Sequence, residues 1–429
     1  MSRQFDKSMA LYDRASKTVP LATQTYSKAA TNFVLGATPA FLDRGDGAHV
    51  WDVDGNRYVD YVGGLLPIVL GYCDPDVDAA IRAQLEKGIL FSLATELEAE
   101  LSELLVRLIP SAEMVRFGKN GSDVTTAAIR IARAATGRDK VAICGYHGWH
   151  DWYIGTTERK LGVPECVQDL SATFSLQDPD TLADLLKADP EGYAAIIMEP
   201  TGKQPTDPAH LRRVRDLADQ YGAILIFDEI VTGFRMHLGG VQAAYDVVPD
   251  MSCFGKAMAN GMPISALVGR RDLMQMMDRI FFSATFGGEA LSMAAAIATI
   301  RKLEREDVPN RLAALGRTLT DAANDALRAH KLDNRVRFGG ENWWPRVTIE
   351  GDPAEQALTN ALLRQECAEN GLLFAASFNM SFAHTADAIQ EETVSALDKA
   401  AASLAEAFAA PDPSSRLRGE NAGVVFTVR

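Results

Sequence analysis

Lys256 follows the apolar run MSCFG (251–255) and Asp228 follows AILIF (223–227), so an amine and a carboxylate stand at the ends of consecutive apolar segments. A lysine withdrawn from water beside other cations loses proton affinity and can attack a carbonyl to form a Schiff base. Other runs end on residues that complement this pair. MVRFG (114–118) leads into Lys119-Asn120-Gly121-Ser122 and a helix start, KVAIC (140–144) into Gly145-Tyr146-His147-Gly148, and AAIIM (194–198) into Glu199-Pro200. Glycine and a hydroxyl at a helix N-terminus can hold a phosphate through backbone N–H groups and the helix dipole. Tyr146 can stack on a flat ring, and a carboxylate such as Asp228 can keep a pyridine nitrogen protonated, which preserves the ring as an electron sink. Together these are the requirements of pyridoxal phosphate (PLP) chemistry, with Lys256 as the attachment point. Taken singly, each residue has a plainer reading. Asp228 could cap a helix or pair with a cation, Lys256 could be a solvated surface lysine, Tyr146 and His147 a satisfied core pair, and Gly121-Ser122 an ordinary helix start. The joint arrangement carries the argument.

Such residues need elements that bring them to one edge. Between the apolar runs lie helix-like segments: SDVTTAAIRIARAATG, TLADLLKAD and AHLRRVRDLADQYG. The first and last stop at Gly137 and Gly222, the usual C-terminal punctuation. Continuous apolar strands alternating with helices predict an α/β domain, its mostly parallel sheet covered on both faces. In such sheets ligands bind just beyond the carboxyl ends of the strands, which is where the candidates fall. The segment between Asp228 and Lys256 shows no helix pattern. Residues 40–62 read as a β-hairpin with Asp54-Gly55-Asn56 as its turn. Beyond about residue 320, RVTIE, an Ala-rich helix near 386–410 and the closing GVVFTVR suggest a smaller α+β domain.

The whole chain narrows the alternatives. Its 429 residues suffice for two or three domains. A net charge of −14, spread without runs of one sign, disfavours nucleic acid and anionic membranes as main partners. The charged N-terminal stretch has no signal-peptide pattern, and no apolar run approaches the roughly 20 residues that span a bilayer. Five dispersed cysteines with no C-x-x-C pair argue against a disulfide framework or a zinc site and fit a cytoplasmic protein. Neither G-x-G-x-x-G nor a P-loop occurs, which sets aside a nucleotide-binding reading of the sheet.

ILIFDEIVTGFR (224–235) and PDMSCFGKAMANGMPISALVG (249–269) resemble the class III aminotransferases of PLP fold type I, particularly the branch containing glutamate-1-semialdehyde 2,1-aminomutase. WDVDGNRYVDYV (51–62), RFGKNGSDVTTAAIRIARAATGRDK (116–140), YHG (146–148) and ATFGGEALSMAAA (284–296) extend the resemblance over about residues 40–400. It implies a large domain with a mostly parallel seven-stranded-type sheet and a smaller α+β C-terminal domain. Residues 1–75 would serve the small domain and dimer contacts, 76–320 would form the PLP-binding domain, and 321–429 the small domain. Lys256 would form the Schiff base and shuttle the proton, and Asp228 would face the pyridine nitrogen. Ile230 and Tyr146 would enclose the ring, and Gly121 and Ser122 would hold the phosphate. Glu199 would lie near the cofactor. Thr285 would reach the phosphate of a neighbouring subunit, so the resemblance implies a homodimer with shared active sites.

Several positions depart from the semialdehyde mutase pattern. SWGP is Gly64-Leu65-Leu66-Pro67 here, GHAHP is Gly71-Tyr72-Cys73-Asp74-Pro75, and NSGTEA is Lys119 to Val124. The segment expected to hold a C-terminal active-site glutamate reads AASFNMSFAHT (375–385), with no acidic residue. These changes leave the cofactor set intact and weaken the mutase. An aminotransferase moving an amino group from an amine donor to a keto or aldehyde acceptor is therefore the leading reading, ahead of the aminomutase and of a catalytically silent fold relative. Arg346 is one candidate for a substrate carboxylate, and Leu65, Leu66, Trp343 and Trp344 are candidates for an apolar pocket; all could equally be structural.

Overall fold

The computed structural model describes residues 3–202 and 204–421. These fall into two compact units, one of residues 75–310 and one of residues 3–74 with 311–421. The larger unit is built on a seven-stranded sheet. Its strands are β1 (Met114–Gly118), β2 (Lys140–Cys144), β3 (Ser171–Thr173), β4 (Tyr193–Met198), β5 (Ile224–Asp228), β6 (Met251–Phe254) and β7 (Ser265–Gly269). The spatial order is β1-β7-β6-β5-β4-β2-β3, and only β7 runs antiparallel to its neighbours.

The apolar runs form strands because both faces of the sheet are covered, so successive residues can all be apolar and point to opposite sides. Ile197 and Ile226 pack with Val124, Ala128 and Ile131 of helix α1 (Gly121–Thr136) on one face. Their neighbours Ile196, Met198, Leu225 and Phe227 pack with Leu182, Leu186, Leu211, Val214 and Leu217 on the other. Each such fully buried side chain stabilises by roughly 1.5–3 kcal/mol, and most of the fold's cohesion lies in these layers. The helices Gly121–Thr136 and Pro208–Tyr221 end at Gly137 and Gly222, as the sequence predicts.

Three local expectations are corrected or extended. A short helix, Gly240–Tyr245, lies between Asp228 and Lys256, where no helix pattern was visible. Six residues are too few to display a 3.6-residue period; the buried Glu229 carboxylate starts this helix by accepting the Val241 N–H at 2.9 Å and the Gln242 N–H at 3.1 Å. The strand β3 is short, polar and at the sheet edge, so it carries no apolar signal. Residues 40–62 hold the expected hairpin, His49–Asp52 with Arg57–Asp60 across the turn at Asp54-Gly55-Asn56, and add a third strand, Leu42–Asp46, paired antiparallel with His49–Asp52. Gly47-Ala48 makes a second turn within the first alternating run.

In the second unit, Leu372–Leu373 adds parallel to Arg57–Asp60, and Val336–Glu341 with Trp344–Ile349 makes a separate antiparallel ribbon. The helices Pro353–Glu369 and Asp387–Ala409 follow in the chain. The closing segment GVVFTVR lies outside the described residues. Among the described residues no helix is long and apolar enough to cross a membrane.

Candidate active site

The parallel register puts several strand ends level. Cys144 pairs with Met198, Met198 with Phe227, and Asp228 with Cys253, so the residues that follow β2, β4, β5 and β6 emerge along one edge. The antiparallel pairing of Ser265 with Gly118 brings the end of β1 beside the start of β7.

Asp228 is buried at 4% exposure, and each of its carboxylate oxygens has a partner. Its Oδ1 accepts the Ile230 N–H at 3.1 Å, and its Oδ2 pairs with His147 Nδ1 at 2.8 Å. The other ring nitrogen of His147 donates to the Cys144 carbonyl at 3.1 Å, which fixes the imidazole plane. His147 is therefore both a satisfied buried histidine and the partner of Asp228. The sequence offered only the first reading, since a buried histidine looks the same whichever acceptor it meets.

Lys256 is partly buried and sits in the left-handed region at φ 38°. That conformation costs a non-glycine residue about 1–2 kcal/mol and persists only where its surroundings enforce it. Ala257, Met258 and Ala259, all at most 1% exposed, follow it in the 3-10 turn that Lys256 opens. Burial pushes the Lys256 ammonium below its ordinary range, and the neighbouring Asp228 and Glu199 carboxylates pull it partway back. Withdrawal from water thus favours the neutral amine, the nucleophilic form.

Glu199 is raised by burial and by the charge of Asp228, and its Oε2 accepts the Tyr146 N–H at 2.9 Å. Tyr146 stands with its ring edge-on to Tyr153, their centroids 5.5 Å apart. Gly121 opens α1 directly against Ile230, whose Cδ1 would lie 2.6 Å from a Cβ at position 121. The helix start is braced by Asp123, whose carboxylate accepts the N–H groups of Lys119 at 3.0 Å and Asn120 at 2.8 Å. The N–H groups of Gly121 and Ser122 belong to the first helical turn, which leaves them without an internal acceptor. Ser122 Oγ accepts the Trp149 N–H at 3.3 Å and keeps its own proton to donate.

Gly148 lies at φ 102°, and a Cβ there would be 2.1 Å from Ser122 Oγ and 3.2 Å from Ser122 Cα. Gly148→Ala should therefore lower stability by about 2–4 kcal/mol, combining left-handed strain with overpacking. The check is the denaturant midpoint of unfolding; an unchanged midpoint would show that this loop can move away from α1.

Thr285 lies on an exposed turn, Thr285–Gly288, that precedes helix α2 (Ala290–Arg305). Lys119, a departure from the semialdehyde mutase turn, pairs with Glu289 at 2.9 Å, both side chains being largely buried. Glu289 also caps α2 by accepting the Leu291 N–H at 2.7 Å. In the second unit Trp343 is buried, Trp344 donates to Asn379 Oδ1 at 2.7 Å, and the Arg346 guanidinium lies 4.5 Å from the Trp344 ring. Leu65 and Leu66 both adopt left-handed φ values, 76° and 83°.

A buried carboxylate and a lysine of lowered proton affinity at the carboxyl edge of a parallel sheet, beside an unclaimed helix N-terminus, define a PLP enzyme of fold type I. The aminotransferase class-III family model matches residues 33–390, and the chain belongs to that family. It is 41% identical over 356 residues to the 3-aminobutyryl-CoA aminotransferase of Cloacimonas acidaminovorans, covering 81% of this chain and 84% of that protein. It is 37% identical over 401 residues to the glutamate-1-semialdehyde 2,1-aminomutase of Roseiflexus castenholzii, covering 87% and 92%. Among solved structures, the FumI protein of Sphingopyxis sp. MTA144 in its PLP form superposes with a TM-score of 0.88 at 28% identity, covering 96% of this chain and all of that one.

Class III aminotransferases use PLP, and the residues present fit it. An amine, an anion for the ring nitrogen and free N–H donors for a phosphate are all supplied at one edge. The activity is amino transfer between an amine donor and a keto or aldehyde acceptor.

Proposed function

We propose that Lys256 holds PLP as a Schiff base, that Asp228 faces its ring nitrogen, and that the amino group passes between two separate substrates. The observation that carries this is the Asp228–His147 pair at 2.8 Å, which fixes a buried carboxylate beside the amine of Lys256. Ile230 and Tyr146 would cover the two faces of the ring, Gly121 and Ser122 would hold the phosphate, and Glu199 would stand beside the cofactor.

PLP, when bound, supplies a conjugated ring that accepts the electron pair left as a carbon loses its proton. The protein's own residues do the rest. Lys256 Nζ, whose burial favours the neutral amine, takes that proton and delivers it elsewhere on the same face. Asp228 holds negative charge opposite the ring nitrogen and so stabilises the carbanion-like state. His147 keeps the Asp228 carboxylate in place, and Tyr146 with Ile230 excludes water from the two faces.

Transfer between two molecules is favoured over the mutase by the lost SWGP pattern at Gly64-Leu65-Leu66-Pro67 and by the absence of an acid in 375–385. The likeness to a 3-aminobutyryl-CoA aminotransferase points to a β-amino acyl donor, free or as a thioester. The test is an absorbance-monitored half-reaction screen of β-aminoacyl thioesters, β-amino acids, α-amino acids and terminal amines. A β-amino donor should bleach the visible cofactor band and release a keto product in the absence of acceptor. Isomerisation of a 4,5-diamino or semialdehyde acid with no second substrate would instead establish the mutase.

We further propose a cytoplasmic homodimer, with the N-terminal segment making dimer contacts. All five cysteines are free, in keeping with a reducing compartment. Phe281 at 79% and Phe286 at 57% exposure flank Thr285, and Leu93 is 85% exposed; a second copy covering this apolar surface would carry Thr285 toward the neighbouring phosphate. Light scattering on the purified protein should give twice the chain mass.

A further inference from the structure

We infer that Glu199 is a positioning residue that holds the Tyr146 ring in place through the backbone of the Gly145–Gly148 loop. The inference rests on the reading that Tyr146 covers one face of PLP, and it assigns Glu199 a role through Tyr146 rather than on the cofactor itself.

The loop and the residue that follows it are tied to three neighbours. His147 reaches Asp228 at 2.8 Å, the His147 carbonyl accepts from Thr125 Oγ1 at 3.0 Å, and the Trp149 N–H reaches Ser122 at 3.3 Å. At the front of the loop Glu199 meets three residues in succession. Its N–H donates to the Cys144 carbonyl at 3.0 Å. Its side chain lies flat on Gly145, where a Cβ would be 2.6 Å from Oε2, 2.9 Å from Cγ and 3.0 Å from Cβ of Glu199. Its Oε2 accepts the Tyr146 N–H at 2.9 Å. Position 145 must therefore lack a side chain twice over, since its φ is 106° as well. The Tyr146 ring itself is 43% exposed and meets Tyr153 only edge-on, so backbone anchoring is what sets its height. Burial and the nearby Asp228 favour the neutral carboxyl of Glu199, whose carbonyl oxygen still accepts an N–H. A glutamine should accept the same bond.

The test uses the PLP-loaded enzyme and reads PLP dissociation and the visible circular dichroism of the bound cofactor, alongside turnover. Glu199→Ala should raise the PLP dissociation constant about ten-fold, the effect of one lost hydrogen bond, and flatten the dichroism. Glu199→Gln should stay within about three-fold of wild type, and Gly145→Ala should resemble Glu199→Ala. In a Tyr146→Ala background, adding Glu199→Ala should cost less than about two-fold more, because the ring it positions is gone. The full ten-fold loss in both backgrounds, or no rescue by glutamine, would overturn the positioning role. Failure of the parent reading has a separate signature: borohydride would attach no PLP to Lys256 in the wild type, or Tyr146→Ala alone would leave the dichroism unchanged, and the inference would fall with it.

Discussion

On the proposed role of Lys256, Lys256→Ala should lose at least about a thousand-fold in turnover, because one substitution would remove both the amine that attaches PLP and the base that moves the proton. The visible band of the linked cofactor should vanish, and borohydride should no longer fix PLP to the chain. PLP itself should still bind, since Asp228, Gly121 and Ser122 remain. This separates a lost reaction from a lost site: dialysis should leave measurable PLP in the variant, and its fold should persist. The backbone at 256 is left-handed at φ 38°, and alanine tolerates that no worse than lysine. Turnover within ten-fold of wild type would sink the assignment of Lys256.

Asp228→Asn should lower kcat by about a hundred- to a thousand-fold while leaving PLP bound. Asparagine keeps an oxygen for the Ile230 N–H, now 3.1 Å from Oδ1, and a polar neighbour for His147, so geometry is largely retained. On the proposed placement, what would be lost is the negative charge opposite the ring nitrogen, and with it the stabilisation of the carbanion-like state. The informative readout is kcat at saturating PLP. A change of less than three-fold would mean that the Asp228 charge serves the fold and not the reaction.

Much of this arrangement was legible in the sequence because strands buried on both faces are written as unbroken apolar runs. Their ends, and hence Gly121, Tyr146, Glu199, Asp228 and Lys256, could be read directly. What escaped depends on register between distant segments. Nothing local marks that His147 meets Asp228 or that Glu199 lies on Gly145, since both contacts arise from β2, β4 and β5 lying level in the sheet. The Lys119–Glu289 pair joins positions far apart in the chain and was invisible for the same reason. Helix Gly240–Tyr245 and strand β3 were missed because they are too short to show a period, and the turn at Gly47-Ala48 was hidden by flanking residues that keep the alternation. The departures at Gly64-Leu65-Leu66-Pro67 were visible as residue types, but not that both leucines would be left-handed.

The parallel sheet has a consequence for how the enzyme matures. Its order, β1-β7-β6-β5-β4-β2-β3, makes first and last strands in sequence into spatial neighbours, so the sheet closes only when segments some 150 residues apart have met. Non-local pairing of this kind is slow, since loop-closure entropy opposes each contact before burial offsets it. The helix start after β1 and the lysine after β6 share an edge only once β1 has paired with β7. A ligand needing both therefore binds the finished fold and not its precursors, and it stabilises that fold in proportion to RT ln(1 + [PLP]/Kd). The supply of PLP in the cell then influences how much of the newly made chain survives, as well as how much of it is active.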